Sequence, residues 1–209
     1  MTRIKICGLT TVEDALMAAE LGADSIGLHL ADTPRKITPE QAAEIVAALP
    51  PFVAVVGIFT TEDPDILDRL RRCGLAAVQL HGDQSEDYAR AVSHYTRVIR
   101  VARIKDQESL DALRRCIAGS AFLVDTYAPG SLGGTGKTFD WSIAVKAKDL
   151  GKPLILAGGL GPDNVAEAVR TVRPYAVDAS SRLESKPGRK DYNKVKEFIR
   201  NVRSADETA

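Results

Sequence analysis

Apolar and polar residues follow a repeating order along this chain: a short apolar run, a turn, and then a stretch with helical spacing. Eight apolar runs of strand length occur, and an amphipathic segment follows each of them. The second amphipathic segment has a recognisable start, because Thr38 is a suitable N-cap and Pro39 occupies the first helical position. The predicted strands cover residues 4–7, 25–30, 52–59, 76–81, 98–104, 121–126, 153–157 and 175–179.

Several of these runs are apolar at almost every position, as in residues 52–59. Such strands are expected where helices cover both faces of a parallel sheet. Eight strands that alternate with eight helices predict an α/β fold, the closed (β/α)8 (TIM) barrel, as a single domain over residues 1–203. Residues 204–209 are expected to form a disordered tail. The alternative is a doubly wound open sheet, but its dinucleotide-binding form needs GxGxxG after the first strand, where this chain reads CGLT.

The charge balance and the cysteine pattern limit the partners and the location. Lysine plus arginine and aspartate plus glutamate number 28 each, so no net field favours nucleic acid or an anionic membrane. No apolar stretch reaches the roughly 20 residues that span a bilayer, and the N-terminus has no signal-peptide core. The three cysteines have no CxxC spacing, which indicates a reducing environment. We therefore expect a cytoplasmic protein without nucleic-acid or membrane partners.

Candidate catalytic residues stand at the ends of the first and sixth apolar runs, where Cys7 and Asp125 occur. In a (β/α)8 barrel the active site is built at the carboxyl ends of the strands, so both side chains are expected at one cavity. A thiolate can act as a base, and a carboxyl group in an apolar surround as an acid. Each also has a structural alternative, as a small buried side chain or as a loop cap. Asp178, at the end of the eighth run, is expected to bind loop amides.

Glycine and serine turns indicate a phosphate site. Gly158 and Gly159 follow the seventh predicted strand, and Ser180 and Ser181 follow the eighth. Loops at these positions of a barrel often bind phosphate through backbone N–H groups. The glycine-rich residues 130–138 resemble a Walker A motif but have one residue too many between their glycines, so we interpret them as a flexible active-site loop.

A metal site is a further alternative at the same strand ends. Cys7, His81 and Asp125 could converge as ligands, with His29 as a fourth candidate. The chain has no HxH, HExxH or CxxC spacing, however. We therefore expect no metal.

Five sequence segments, spread over nearly the whole chain, resemble those of one enzyme family. The segments are KICGLT, VQLHGD, GGTGKTFDW, LAGGL and the double serine, at residues 5–10, 78–83, 133–141, 156–160 and 180–181. On these motifs the chain resembles the phosphoribosylanthranilate isomerases of tryptophan biosynthesis. The resemblance implies a (β/α)8 barrel that performs an Amadori rearrangement, in which N-(5-phosphoribosyl)anthranilate becomes the open-chain 1-deoxyribulose 5-phosphate derivative. No metal or organic cofactor is implied.

The resemblance also implies roles for individual residues. Asp125 would protonate the furanose ring oxygen, and Cys7, as a thiolate, would remove the proton from C2. Arg35 would bind the anthranilate carboxylate, a task that suits a planar bidentate donor. The remaining positions implied to bind the phosphorylated substrate are His81, Gly134, Gly158, Gly159, Ser180 and Ser181.

Two positions depart from the family pattern, and two other functions stay open. Arg182 follows the double serine where glycine is frequent, and His29 stands where an aromatic residue is more usual, which implies a differently lined anthranilate pocket. A histidine-pathway isomerase performs the same chemistry, but with aspartate at both catalytic positions, whereas this chain has Cys7. A non-catalytic phosphosugar-binding barrel would be expected to have lost Cys7 or Asp125. The expected assembly is a monomer or a homodimer.

Overall fold

The computed structural model describes residues 1–103, 106–125 and 141–207. Within these residues, eight parallel strands close into a barrel in chain order, and the eighth strand pairs with the first. The predicted (β/α)8 barrel is confirmed. The strands are β1 (Arg3–Cys7), β2 (Ser25–His29), β3 (Ala54–Phe59), β4 (Ala77–Leu80), β5 (Arg97–Arg103), β6 (Ala121–Asp125), β7 (Leu154–Ala157) and β8 (Ala176–Ala179).

Helices follow the strands around the outside of the barrel. In the described ranges they are α1 (Val12–Glu20), α2 (Pro39–Ala48), α3 (Ile66–Cys73), α4 (Glu86–Ser93), α5 (Gln107–Arg114), α6 (Ser142–Ala147), α7 (Val165–Val172) and α8 (Tyr192–Glu207). Two 3₁₀ turns (Lys148–Leu150 and Ser181–Leu183) and an antiparallel ribbon of β9 (Glu184–Lys186) and β10 (Arg189–Lys190) complete the described elements. None of the described helices has the length and apolar character needed to cross a bilayer.

The start of α2 is the one that the sequence predicts. Thr38 is the N-cap, and its hydroxyl accepts the backbone N–H of Gln41 at 3.2 Å. The Gln41 side chain in turn accepts the backbone N–H of Thr38 at 2.9 Å, while Pro39 begins the helix. This reciprocal capping box satisfies two backbone donors that the helix itself leaves unpaired.

Alternate residues of each strand face the surrounding helices and the barrel interior. In β1, Ile4 and Ile6 belong to the large apolar core that the strands share with the helices, so Lys5 and Cys7 point inward. Small and branched apolar side chains fill the interior itself, namely Val56, Ala77, Ile99, Ala121, Leu123, Ile155, Ala157 and Ala176. Beside these apolar side chains the interior also holds buried polar ones, among them Lys5 on β1 and Asp178 on β8.

Several predicted boundaries differ from the structure. Strand β3 begins at Ala54, because Phe52 is 97% exposed and precedes the barrel. The tail predicted from residue 204 is helical as far as Glu207, where α8 ends. Ala205 is buried, and the Asp206 carboxylate accepts hydrogen bonds from the backbone N–H and the hydroxyl of Thr2 at 2.8 and 2.7 Å. The predicted strand ends at 104 and 126, and residues 208–209, lie outside the described residues.

Candidate active site

The carboxyl end of β1 places two polar side chains inside the barrel. Cys7 is 5% exposed and Lys5 is 2% exposed. Gly27 on β2 is the register partner of Cys7. A methyl group added to Gly27 would lie 2.7 Å from Cys7 Sγ and 3.1 Å from Lys5 Nζ. The bare glycine therefore provides the space in which the thiol and the ammonium group lie side by side.

Asp178 on β8 pairs with Lys5 from the opposite side. Lys5 Nζ donates to Asp178 Oδ2 at 2.9 Å, and both side chains are buried. Burial lowers the pKa of Lys5, but the charges of Asp178 and Cys7 and the hydrogen bonds to them raise it above its ordinary value. The expectation that Asp178 binds loop amides is corrected, because its partner is the ammonium group of a neighbouring strand.

The pKa of the Cys7 thiol reflects opposing influences. Burial raises it and is the largest influence, and the charge of Asp178 acts in the same direction. Lys5 and Lys190 oppose this through their positive charges, and Lys5 also hydrogen-bonds the sulfur. The balance lies above the ordinary value of a cysteine. Deprotonation of this thiol therefore depends on the donors beside it.

His29, the last residue of β2, lies against the same thiol. Its Nε2 is 3.5 Å from Cys7 Sγ, and its Nδ1 is 3.0 Å from the Thr33 hydroxyl. Burial, the largest influence, and the nearby charges of Lys5 and Arg35 lower the pKa of His29 to about 3. The imidazole is therefore neutral at physiological pH. The sequence marks His29 only as a departure from an aromatic position and as a candidate ligand, and its contact with the thiol was not predicted.

Strand β6 presents Asp125 in the way that β1 presents Cys7. Phe122 and Val124 pack in the helix-facing core, whereas Leu123 lies in the interior cluster. Asp125 continues the interior row by one step and is the last residue of its strand. Cys7 and Asp125 therefore both lie on the inner face at the carboxyl rim of the barrel.

Arg35 enters the site from the segment that follows β2. Its Nε and Nη2 donate to the two carboxylate oxygens of Glu184, each at 2.7 Å, and Lys190 Nζ donates to the same carboxylate at 2.9 Å. Burial raises the pKa of Glu184, but these hydrogen bonds and charges outweigh it and hold the pKa at about 2. The stem of Arg35 covers Gly8, because a methyl group there would overlap Arg35 Cδ. The sequence assigns no role to Glu184 or Lys190.

His81 follows β4 at the same rim. Its Nδ1 lies 3.1 Å from Gln79 Nε2, two residues earlier on the strand. An amide N–H is only a donor, so Nδ1 is the acceptor in this contact.

The turn after β7 has the backbone conformation that its glycines allow. Gly158 and Gly159 have φ values of 93° and 63°, which residues other than glycine rarely adopt. The Gly159 carbonyl accepts hydrogen bonds from Arg182 Nη1 at 3.0 Å and Asn164 Nδ2 at 3.1 Å. Arg182 also donates to both carboxylate oxygens of Asp163 at 2.8 and 2.7 Å. The departure at position 182 thus braces the glycine turn from outside.

The turn after β8 carries the two predicted serines. Ser180 has a buried hydroxyl oxygen without a hydrogen-bond partner in the described part of the chain. Its carbonyl accepts from Lys190 Nζ at 3.3 Å, and Ser181 begins the 3₁₀ turn. Gly134, the remaining predicted substrate contact, lies outside the described residues. Among the residues that the structure covers, no group of three or more histidine, cysteine, aspartate or glutamate side chains is placed to hold a metal ion.

Fold and site together define a class: a (β/α)8-barrel enzyme whose thiol, carboxyl and cationic groups meet at the carboxyl rim. The family model of N-(5'-phosphoribosyl)anthranilate (PRA) isomerase matches residues 4–201. The chain belongs to this family.

Relatives and solved structures agree with this assignment. The N-(5'-phosphoribosyl)anthranilate isomerase of Trichlorobacter lovleyi is 51% identical over 207 residues, which cover 98% of this chain and 100% of that protein. The protein of the same name from Geobacter sulfurreducens is 54% identical over 205 residues, 97% and 99% of the two chains.

Among solved structures, the phosphoribosyl anthranilate isomerase of Thermotoga maritima superposes with a TM-score of 0.91 at 41% identity, covering 98% of this chain and 100% of that one. A second isomerase structure, in complex with reduced 1-(o-carboxyphenylamino)-1-deoxyribulose 5-phosphate, has a TM-score of 0.88 at 37% identity, with coverage of 98% and 100%.

Proposed function

We propose that this chain is an isomerase that converts N-(5'-phosphoribosyl)anthranilate to 1-(2-carboxyphenylamino)-1-deoxyribulose 5-phosphate in tryptophan biosynthesis. The observation that carries the proposal is the pair of inward-facing residues at the barrel rim, Cys7 on β1 and Asp125 on β6. They occur in a chain that is 51% identical to a protein named for this reaction. The rearrangement moves protons and electron pairs within one molecule, so a base and an acid suffice.

The first step opens the sugar ring. Asp125 gives a proton to the furanose oxygen while the bond between that oxygen and C1 breaks. The lone pair of the anthranilate nitrogen moves toward C1, and a protonated Schiff base results. A carboxyl group at the carboxyl rim of the barrel is suited to this task, because substrates of this fold bind at that rim and a carboxyl group can serve as a general acid.

The second step removes the C2 proton. The Cys7 thiolate forms an S–H bond as the C2–H bond breaks, and the electron pair forms a C1–C2 double bond while the nitrogen becomes neutral. The enolamine then gives the ketone by loss of the hydroxyl proton and protonation at C1. Lys5, held by Asp178, supports this role because a positive charge beside the sulfur favours the thiolate.

Arg35 binds the anthranilate carboxylate in this proposal. A guanidinium group has five N–H donors in a fixed fork, and two of them donate to Glu184. The remaining donors have no other bonded acceptor in the described part of the chain. Glu184 thus orients the guanidinium group and leaves donors that can point toward a planar carboxylate.

The phosphate is held by the turns after β7 and β8. Gly158, Gly159, Ser180 and Ser181 are the proposed contacts, and His81 and Gly134 are two more, of which Gly134 lies outside the described residues. The buried, unpartnered hydroxyl of Ser180 supports this assignment, because a buried polar atom is costly unless a ligand or water completes its bonding.

The proposed location is the cytoplasm, and the proposed assembly is a monomer or a homodimer. One solved relative from Thermotoga maritima, at 38% identity and a TM-score of 0.87, is described as monomers of a dimeric phosphoribosylanthranilate isomerase. Light scattering on the purified chain at several concentrations distinguishes the two states, and a trimer or larger assembly would contradict the proposal.

The function is tested by following the fluorescence of phosphoribosylanthranilate generated in place. The proposal predicts that the chain accelerates decay of the signal, with and without EDTA, and that Cys7→Ser and Asp125→Asn each slow this decay by about 10²- to 10⁴-fold. Cys116→Ser is the matched control, because Cys116 lies two residues beyond the end of α5, outside the barrel interior. No acceleration would contradict the proposal, and turnover of the histidine-pathway substrate in its place would identify the other isomerase. Binding of the substrate without turnover would indicate a non-catalytic barrel.

A further inference from the structure

The imidazole of His29 lies next to the thiol of Cys7. Cys7 and Gly27 are register partners, and His29 lies two residues beyond Gly27 on the same side of β2. The imidazole therefore projects over the bare glycine onto the sulfur, with 3.5 Å between Nε2 and Sγ. This distance suits an N–H···S hydrogen bond, which is longer than a bond to oxygen because sulfur is larger.

The contact with Thr33 is the basis on which the tautomer of His29 is assigned. Its hydroxyl oxygen accepts the backbone N–H of Arg35 at 3.2 Å and lies 3.0 Å from His29 Nδ1. A hydroxyl has one proton to give, and Nδ1 is its only bonded acceptor in the described part of the chain. With Nδ1 accepting from Thr33, the proton of the neutral ring is on Nε2 and points at Cys7 Sγ.

The imidazole donates a hydrogen bond to Cys7 and does not act as a base that accepts the proton of the thiol. Burial, the largest influence, lowers the pKa of His29 to about 3, and the surrounding positive charges act in the same direction. A second proton on the ring would place a cation among these groups, so the ring stays neutral. The charged or titratable groups that face Cys7 and His29 are Lys5 on β1, Asp178 on β8, Lys190 on β10, Arg35 after β2 and His81 after β4.

We infer that His29 is a positioning residue for Cys7, whose neutral Nε2–H group donates to the thiolate and holds its lone pair toward C2 of the substrate. The inference rests on the proposed role of Cys7 as the base. When the C2–H bond breaks, the S–H bond forms on Cys7, and His29 neither gains nor loses a proton. Lys5 places a positive charge beside the Cys7 sulfur, and His29 adds a neutral N–H donor. The second contribution requires a histidine, or another N–H donor, at position 29.

Removal of the donor has a defined consequence. A hydrogen bond to a charged group is the stronger kind, so its loss raises the pKa of the Cys7 thiol by about one unit. At a pH below that pKa, the thiolate fraction and the rate then fall about tenfold. Lys5 remains in His29→Phe and still lowers the pKa of Cys7. The pKa is therefore expected to rise in this variant, but to stay below that of a buried thiol without any cation beside it.

The test is the pH dependence of Cys7 alkylation by iodoacetamide without substrate, read by mass spectrometry on the tryptic peptide of residues 6–35, whose only cysteine is Cys7. His29→Phe keeps a ring without a donor, and the midpoint is expected to rise by about one unit. His29→Gln places an amide N–H near the Nε2 position, and its midpoint is expected to stay close to that of the wild type. His29→Asn reaches only the Nδ1 position and is expected to resemble the phenylalanine variant.

Two outcomes would overturn the inference: an unchanged or lowered midpoint in His29→Phe, or equal shifts in the glutamine and asparagine variants. If the phenylalanine variant does not fold, the glutamine and asparagine pair decides. The kcat/KM profile against pH provides a second readout, in which the acid limb shifts with the alkylation midpoint. Alkylation needs no turnover, so it measures the effect of His29 on Cys7 even if the chain is not catalytic. A wild-type chain that does not convert phosphoribosylanthranilate would contradict the proposed function but not the inference about His29.

Discussion

Lys5 and Asp178 form an ion pair inside the barrel, with 2.9 Å between Nζ and Oδ2 and side-chain exposures of 3% and 8%. The two residues are register partners on β1 and β8, the strands at which the barrel closes. The ion pair therefore joins the first and last strands and fixes an ammonium group beside Cys7. Both charges are largely shielded from bulk water, so each depends on the other.

Asp178→Asn is expected to destabilise the protein by about 3–5 kcal/mol, because it leaves the Lys5 ammonium buried without a counter-charge. Urea unfolding at neutral pH measures the change. The matched control is Asp111→Asn, which removes an exposed ion pair with Arg114, with 3.3 Å between the charged atoms, and is expected to cost less than about 1 kcal/mol. Equal, small effects in the two variants would show that the buried pair does not stabilise the fold.

Gly8→Ala separates backbone strain from the contact with Arg35. Gly8 and Gly151 both have φ of 75°, but a methyl group at Gly151 meets no atom within 4 Å, whereas one at Gly8 overlaps Arg35 Cδ. Gly151→Ala is expected to cost about 1–2 kcal/mol of stability and to leave activity unchanged. Gly8→Ala is expected to cost more and to raise KM, because Arg35 must move. Unfolding and steady-state kinetics on both variants measure the difference, and indistinguishable results would contradict the contact.

Glu184 is expected to make stability depend on acid pH. Its pKa is lowered from 4.5 to about 2 in the folded chain. The carboxylate therefore contributes stability that is present above about pH 4.5 and is lost as the pH falls toward 2. Glu184→Gln removes this contribution, so the difference in unfolding free energy from the wild type is expected to shrink by about 2 kcal/mol between pH 6 and pH 3.

Glu197→Gln, at an exposed carboxylate beside Arg200, is the control and should retain the wild-type pH dependence of stability. Parallel curves for Glu184→Gln and the wild type would contradict the lowered pKa.

Arg35→Lys is expected to lower kcat/KM by about 10- to 100-fold, mainly through KM, because a lysine cannot keep the bidentate bond to Glu184 and present further donors to a carboxylate. A substrate analogue without the anthranilate carboxylate should be turned over almost equally by the wild type and the variant. Arg114→Lys on the exposed face of α5 is the control and should change neither parameter. A loss of the same size with the analogue would show that Arg35 does not act on the carboxylate.

The apolar periodicity was sufficient to predict the barrel and the position of Cys7. Strands β1 and β6 are short runs whose alternate residues are apolar on the helix-facing side, so a polar residue at the end of each run is directed to the rim. The same alternation places Lys5 on the side of Cys7, so the sequence also indicates a positive charge near the thiol. The alternation likewise places His29, two residues beyond Gly27, on the inner face of β2.

Pairs between distant residues were not predictable from the pattern. Lys5 and Asp178 are 173 positions apart, and Arg35 and Glu184 are 149 positions apart. Which of many lysines and carboxylates meet depends on strand register and on barrel closure, and these are properties of the whole fold. The end of α8 was missed for a similar reason, because the contact that orders Asp206 comes from Thr2 at the other end of the chain.

The most direct test of the acid–base account is the single-turnover rate at which the enzyme, in excess, consumes phosphoribosylanthranilate, with Cys7→Ser and Asp125→Asn compared with the wild type. We expect each variant to bind the substrate and to react about 10²- to 10⁴-fold more slowly. Deuterium at C2 should slow the wild-type reaction, because Cys7 breaks that bond. A Cys7→Ser variant that reacts at the wild-type rate would contradict the account.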